Sequence, residues 1–195
     1  MNFKNTVEQI ENKRNTALLT GSSLLLMAVL AGIAIPALGT FTANLGLIGV
    51  FILDILVSLG IYKYHKDEKP ELAKSTCIWR LLYTLIFAVA IGYHIAGNVP
   101  MFNKIWWLGL IVFGIHLIAL GFLFNNEGGN KWINISIKSL LIIAGSGYVI
   151  EYTGILFVAN PTGYKALIES VFILPMILSE ISYAIWMLIS GGKKV

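Results

Sequence analysis

Four ionisable side chains lie within long apolar stretches of this sequence: Asp54, Arg80, His116 and Glu180. Placing a charge near the centre of a bilayer costs roughly 3 to more than 10 kcal/mol, depending on the scale. Two carboxylates, an imidazole and a guanidinium could together bind a small polar ligand or an ion, relay a proton, or supply a base for an intramembrane reaction. These residues are therefore the first candidates for a functional site.

The histidines also raise the question of a metal or a haem. One imidazole and two carboxylates suit several divalent ions, so His116 with Asp54 and Glu180 is a conceivable metal site. Haem ligation by two histidines would need His94 and His116 at similar depth, whereas their positions differ by roughly 13 Å. The sequence therefore indicates no particular cofactor, and we assign no metal site from it.

The elements that carry these residues follow from the composition. The 195-residue chain is 57% hydrophobic and 12% charged, whereas soluble domains contain about 25% charged residues. Six apolar stretches are each long enough for a helix to cross a hydrocarbon core of roughly 30 Å, and no alternating pattern indicates a barrel. We predict a single all-α transmembrane domain over residues 1–195, a bundle of six helices with spans at Thr16–Leu38, Leu45–Tyr64, Ser75–Ala96, Ile105–Phe124, Ile133–Tyr152 and Ala166–Ile189.

Basic residues favour one side of this predicted bundle and so indicate its orientation. Two basic residues, Lys104 and Lys165, lie on one side, and ten lie on the other. We therefore predict a multi-pass protein of the cell membrane with both termini in the cytoplasm. The basic residues form no patch with interleaved aromatics, so we expect membrane lipids as partners and no nucleic acid. The sequence does not indicate an oligomeric state. The ten basic residues on the predicted cytoplasmic side are Lys4, Lys13, Arg14, Lys63, Lys66, Lys69, Lys74, Lys131, Lys193 and Lys194.

Depth counted from the predicted cytoplasmic ends brings the four candidates together. Asp54, His116 and Glu180 lie eight to ten residues from those ends, so their depths agree within roughly 3 Å. Arg80 starts about one turn nearer the cytoplasm, and its long side chain can reach inward. We predict a polar cluster in the cytoplasmic half, with an Asp54–Arg80 ion pair as the first contact.

A second, looser set of candidates lies toward the outer side: His94, Glu151 and Glu169. Glu169 precedes Glu180 by eleven residues, so the two carboxylates share a helix face about 16 Å apart. Two polar layers on shared faces would outline a path through the bundle. The alternative is that these outer residues simply meet water at the membrane boundary.

Several segments together resemble a known family. They are Phe102–Trp106, Gly109–His116, Leu174–Glu180, and the isolated Asp54 and Arg80 in the second and third spans. With these residues the chain resembles the multi-pass bacterial family catalogued as domain of unknown function 4386. The resemblance implies an integral membrane protein and supplies neither an activity nor catalytic residues.

Three hypotheses for the function remain open from the sequence. The first is a membrane protein whose inner polar layer binds a small ligand or relays a proton or an ion. The second is a helical scaffold or accessory subunit in which the charges hold the helices in register. The third is an intramembrane enzyme that uses His116 as a base beside the carboxylates. We rank them in this order, so a non-enzymatic function comes first.

Overall fold

Six long α-helices make up the structure. The computed structural model describes residues 3–125, 130–158 and 161–193, and every regular element within those ranges is a helix. Each helix contains an apolar segment long enough to cross a membrane. The predicted all-α, six-span class is confirmed, and the chain is a multi-pass membrane protein. The helices are α1 (Phe3–Ala34), α2 (Phe41–His65), α3 (Pro70–Ile95), α4 (Val99–Leu123), α5 (Lys131–Phe157) and α6 (Pro161–Ile189).

The helix ends differ from the predicted spans for identifiable reasons. The first predicted span runs to Leu38, whereas α1 ends at Ala34. Pro36 has no N–H to donate and disfavours helical backbone in the residue before it. The side chain of Thr40 then caps α2 by accepting a hydrogen bond from the Ala43 N–H at 3.2 Å. The second helix therefore begins before the predicted span at Leu45.

The helices are arranged as a ring in chain order. Each packs against its predecessor and its successor, and α6 returns to pack against α1. A ring of six places α3 across from α6. The start of α1 and the end of α6 lie at one face of this ring, which we call the terminal face. The last turns of α1, α3 and α5 lie at the opposite face, which we call the far face.

Basic side chains close the terminal face by capping helix ends. The Arg14 guanidinium donates to three carbonyls at the end of α6, those of Met187, Leu188 and Gly191. Lys69 donates in the same way to the last turn of α4. Carbonyls in a last helical turn have no partner within the helix and carry partial negative charge, so cations are stabilising there. Lys194, one of the ten basic residues counted above, lies outside the described residues.

Glycines bring α4 and α5 into close contact. A Cβ atom on Gly114 of α4 would lie 2.6 Å from the carbonyl oxygen of Gly145 in α5, and one on Gly145 would lie 2.5 Å from the Gly114 carbonyl. Any side chain at either position would therefore collide with backbone. Small residues at such interfaces let membrane helices pack closely. This contact holds in place the turn of α4 that carries His116.

Candidate functional site

Arg80 of α3 is the centre of the buried polar cluster. Its side chain is completely buried, and both Nε and Nη2 lie 2.7 Å from Asp54 Oδ1 on α2. Nη1 lies 2.7 Å from Glu180 Oε1 on α6. The predicted Asp54–Arg80 ion pair is thus present, and the same arginine crosses the ring to the opposite helix.

The other Arg80 donors are also used. Nη1 lies 3.1 Å from His116 Nε2 on α4, and Nη2 lies 3.9 Å from Met27 Sδ on α1. The guanidinium carbon also lies 5.5 Å from the centre of the Phe113 ring, within cation–π range. A guanidinium has five N–H donors, and each has a contact here. Arg80 therefore joins α3 to α1, α2, α4 and α6.

Asp54 is almost fully buried, and its carboxylate contacts two side chains of α3, Arg80 and Thr84. Thr84 Oγ1 lies 2.7 Å from Asp54 Oδ2, and Arg80 occupies Oδ1. Thr84 follows Arg80 by four residues, so both side chains project from one face of α3. A buried carboxylate requires several such donors to offset the loss of water. In the described part of the chain, the donors to the Asp54 side chain come from α3.

His116 is completely buried and uses both ring nitrogens within the protein. Nδ1 lies 2.9 Å from the carbonyl oxygen of Thr76, which can only accept, so Nδ1 carries the hydrogen. Nε2 then presents its lone pair to Arg80 Nη1. This arrangement fixes a neutral imidazole, and it leaves no lone pair for a substrate.

The conceivable metal site of His116, Asp54 and Glu180 is not formed. All three side chains point to Arg80, whose guanidinium occupies the position between them. In residues 3–125, 130–158 and 161–193, no group of three or more histidines, cysteines and acidic residues is placed to hold a metal ion. The arginine is itself the cation around which these ligands gather.

Glu180 differs from the other three members of the cluster. Its side chain is 21% exposed, while those of Arg80 and Asp54 are at most 1% exposed and His116 is completely buried. Arg80 and Asp54 balance each other, so an ionised Glu180 brings one negative charge in excess. The group with the uncompensated charge is therefore also the group that can be reached.

The outer candidates do not join this cluster. Nε2 of His94 accepts a hydrogen bond from the backbone N–H of Gly39 at 2.9 Å, and its Nδ1 lies 2.6 Å from Asn44 Oδ1. It ties the α1–α2 connection, where Gly39 has a φ of 91°, to α3. Glu151 is buried in α5 and Glu169 is partly buried in α6. None of the three contacts Arg80 in the described structure.

A histidine–tyrosine pair lies between the cluster and the terminal face, and sequence reasoning missed it. His65 is completely buried at the end of α2, and its Nε2 lies 3.1 Å from the hydroxyl of Tyr183. Tyr183 follows Glu180 by one turn on the same side of α6. A histidine beside Lys63 and Lys66 resembles a solvated helix end. Its spacing of eleven residues from Asp54, close to three turns, was the available signal.

Comparisons with known proteins support the resemblance noted in the sequence. The model of a family described as Domain of unknown function (DUF4386) matches residues 94–191. A protein of Archaeoglobus fulgidus described as "Uncharacterized protein" is 31% identical over 155 residues, which are 79% of this chain and 86% of that protein. No solved structure matches. The family match includes His116 and Glu180, while Asp54 and Arg80 precede it.

Proposed function

The chain belongs to the DUF4386 family, whose description names no reaction, and we propose that it is a membrane protein in which Glu180 takes up and releases a proton beside Arg80. The observation that carries the proposal is the charge of the cluster. Arg80 is shared by two carboxylates, and burial penalises a net charge. A proton on Glu180 makes the cluster neutral, and its release leaves a carboxylate that Arg80 still stabilises.

The geometry separates the roles of the two carboxylates. Asp54 receives three close contacts, two from Arg80 and one from Thr84, and is shielded from solvent. It acts as the permanent counter-ion of Arg80. Glu180 is bound through Nη1 of Arg80 and keeps exposed surface. Proton exchange belongs to the carboxylate with fewer contacts and better access, because less stabilisation is lost when its charge disappears.

We propose a route for the proton toward the terminal face. Tyr183 follows Glu180 by one helical turn, and its hydroxyl contacts His65 at the end of α2. A phenol can donate and accept a proton at one oxygen, and an imidazole can do so at two nitrogens. We assign to this pair the transfer between Glu180 and the terminal side of the membrane.

The orientation of the protein belongs to the same proposal. Lys13, Arg14, Lys63, Lys69 and Lys131 lie toward the terminal face, as their helix positions require, and the far face has Lys104 and Lys165. Under the positive-inside rule, this distribution supports a cell-membrane orientation with both termini in the cytoplasm. Under this orientation the His65–Tyr183 pair connects Glu180 to the cytoplasm.

A structural scaffold is the competing function, and one observation favours it. All five donors of Arg80 have partners on the surrounding helices, as expected of a residue that fixes helix register. The two functions differ in whether Glu180 changes its protonation state. An enzyme that uses His116 as a base ranks behind both, because the imidazole lone pair accepts a hydrogen bond from Arg80.

Infrared difference spectroscopy after a pH step tests the proposal on protein reconstituted in lipid vesicles. We expect the wild-type protein to show the carbonyl band of a protonated carboxyl group that disappears as the pH rises. Glu180→Gln should remove this band, because an amide cannot titrate. The matched control is Glu71→Gln, since Glu71 is exposed at the start of α3 and its loss should leave the buried-carboxyl band in place.

The result that decides against proton exchange is a spectrum in which Glu180→Gln and the wild-type protein are indistinguishable. If the wild-type and variant proteins also unfold at clearly different temperatures, the scaffold function is supported in its place.

A further inference from the structure

The contact between α1 and α6 is close near the terminal face. There, a Cβ atom on Gly21 of α1 would lie 2.9 Å from the Ala184 carbonyl oxygen and 2.9 Å from Leu188 Cγ. Arg14, seven residues before Gly21 on α1, caps the end of α6 closer to the termini. The two helices are therefore in close contact over this part of their length.

The same helix faces are open in the far half of the bundle. Ala28 and Gly32 follow Gly21 by seven and eleven residues, so they lie on its face, and both are exposed. A Cβ atom on Gly32 would meet nothing within 4 Å. On α6, Ile177 and Ile173 precede Ala184 by the same seven and eleven residues, and they are 53% and 46% exposed.

These two open faces lie opposite each other. Because α1 and α6 run antiparallel, equal steps away from the Gly21–Ala184 contact bring Ala28 level with Ile177 and Gly32 level with Ile173, about 10 and 16 Å beyond it. We call this opening the α1–α6 seam and define it by those four residues. It is apolar, and its walls are small on α1 and bulky on α6.

Glu180 lies at the closed end of the seam. It precedes Ala184 by four residues and therefore projects from the same face of α6 as the seam residues Ile173 and Ile177. Its Oε1 is held by Arg80 from inside the ring, yet 21% of the side chain remains exposed. Along this face of α6, the partly exposed carboxylate with the excess charge therefore lies between the seam residues and the close Gly21–Ala184 contact.

We propose that the α1–α6 seam admits a lipophilic primary amine from the membrane, with its ammonium group on Glu180 and its alkyl chain along the seam. This rests on the proposed proton exchange at Glu180. The neutral amine enters from lipid, its nitrogen lone pair takes the proton of the Glu180 carboxyl group, and an ammonium–carboxylate ion pair results. No other reactant is needed, and the total charge does not change.

Charge and depth select this ligand over others. The cluster carries one negative charge in excess, so a cationic group is complementary and an anionic group is repelled. Glu180 lies nine residues from the end of α6, roughly 14 Å along the helix. A phospholipid headgroup at that depth would have left its interface and crossed nearly half of a hydrocarbon core of roughly 30 Å. A simple alkylamine has no headgroup beyond its terminal nitrogen. In its neutral form it can therefore reach this depth without the cost of carrying a charge into the hydrocarbon core.

Native mass spectrometry of the protein in detergent micelles tests the proposal, with dodecylamine as the probe and dodecanol and dodecanoate as its neutral and anionic counterparts. We expect dodecylamine to bind the wild-type protein and its affinity to fall about tenfold or more in Glu180→Gln. Gly32→Phe should weaken binding similarly by filling the seam. The matched control is Gly92→Phe, because Gly92 of α3 is likewise exposed and a Cβ atom there would meet nothing within 4 Å.

Several outcomes would overturn the proposal. Equal binding of dodecanol and dodecylamine would show a site for alkyl chains only. Equal effects of the two phenylalanine variants would remove the seam from the binding site. A retained phospholipid, or a dimer of the chain, that Gly32→Phe displaces would give the seam a different occupant.

The amine proposal and the proton proposal fail separately. If the infrared band of Glu180 titrates as expected but dodecylamine binds all variants equally, proton exchange stands and the amine ligand is wrong. If Glu180→Gln leaves the band unchanged, the proposed function itself is wrong, whatever binds in the seam.

Discussion

The clearest feature at the scale of single residues is an arginine that contacts all three other members of the polar cluster. Nε and Nη2 of Arg80 contact Asp54, and Nη1 contacts Glu180. Nη1 also donates a hydrogen bond to Nε2 of His116. Lysine could not replace it, because an ammonium group is a compact point charge without a planar fork of donors. The identity of this residue therefore determines the ion pairs of Asp54 and Glu180 and the hydrogen bond that His116 accepts.

We predict that Asp54→Asn lowers the free energy of unfolding by about 3–5 kcal/mol, the usual result of removing one partner of a buried ion pair. Thermal or denaturant unfolding in detergent, compared with the wild-type protein, measures this loss. Asp67→Asn is the matched control, since Asp67 is exposed between α2 and α3, and it should change stability by no more than about 0.5 kcal/mol.

The same pair permits a second check on this prediction. In the double variant Asp54→Asn with Arg80→Gln, both charges are gone and no buried cation is left unpaired. The double variant should then lose less stability than the sum of its single variants, because residues in direct contact do not act independently. Additive losses would mean that the two side chains do not stabilise each other.

Depth along helices could be derived from the sequence, and for this reason the Asp54–Arg80 pair was predictable. Counting residues from span ends placed Asp54, His116 and Glu180 at one level without any knowledge of helix order. The contact of Arg80 with Glu180 depends on α6 lying across the ring from α3. Hydropathy carries no information about which helices are neighbours, so that contact required the structure.

The role of His94 was hidden for a related reason. Its partners are the N–H of Gly39 and the side chain of Asn44, and both lie close to a turn that the predicted spans had assigned in part to a helix. A histidine near a span end has the same appearance in a sequence whether it meets water, a carboxylate or a backbone amide. The structure shows that His94 links the end of α3 to the α1–α2 connection and to the start of α2.

At the scale of helices, the α4–α5 contact controls the position of His116. Gly114 and Gly145 leave no room for a Cβ atom against each other's backbone. Because backbone cannot yield as a flexible side chain can, a larger residue must separate the two helices. Any such separation moves the α4 turn that presents the imidazole to Arg80.

We predict that Gly145→Val destabilises the protein by about 1–3 kcal/mol through this overpacking. The midpoint of thermal unfolding in detergent reports the change. Gly92→Val on α3 is the matched control, because a Cβ atom there meets nothing within 4 Å. Equal midpoints for the two variants would show that α4 and α5 can separate without loss.

At the scale of the whole molecule, the ring has one face that is rich in basic residues and helix caps. Arg14, Lys13 and Lys69 bind carbonyls or acidic side chains at the terminal face. Residues that would determine the proposed orientation during insertion therefore also stabilise the folded protein. The two tasks require the same charge at the same end of the helices.

Thiol labelling tests the proposed orientation directly. Cys77 is the single cysteine and is buried, so a Cys77→Ala background can carry one new cysteine at a time. With a membrane-impermeant maleimide on intact cells, Lys104→Cys should react at once and Lys193→Cys only after permeabilisation. Both positions are exposed. The reverse pattern would place the termini outside.

The ring order also determines when each charge can be neutralised as the protein is made. Asp54 and Arg80 lie on consecutive helices, so the α2–α3 hairpin can enter the bilayer as an ion pair with no net charge. Glu180 arrives last, on the helix whose insertion completes the ring by contacting α1. Until then, Arg80 does not contact it, and a negative charge at this position in lipid is costly. Under the proposed proton exchange, Arg80 would therefore first meet Glu180 as a protonated carboxyl group, and the newly assembled protein would begin with that proton already bound.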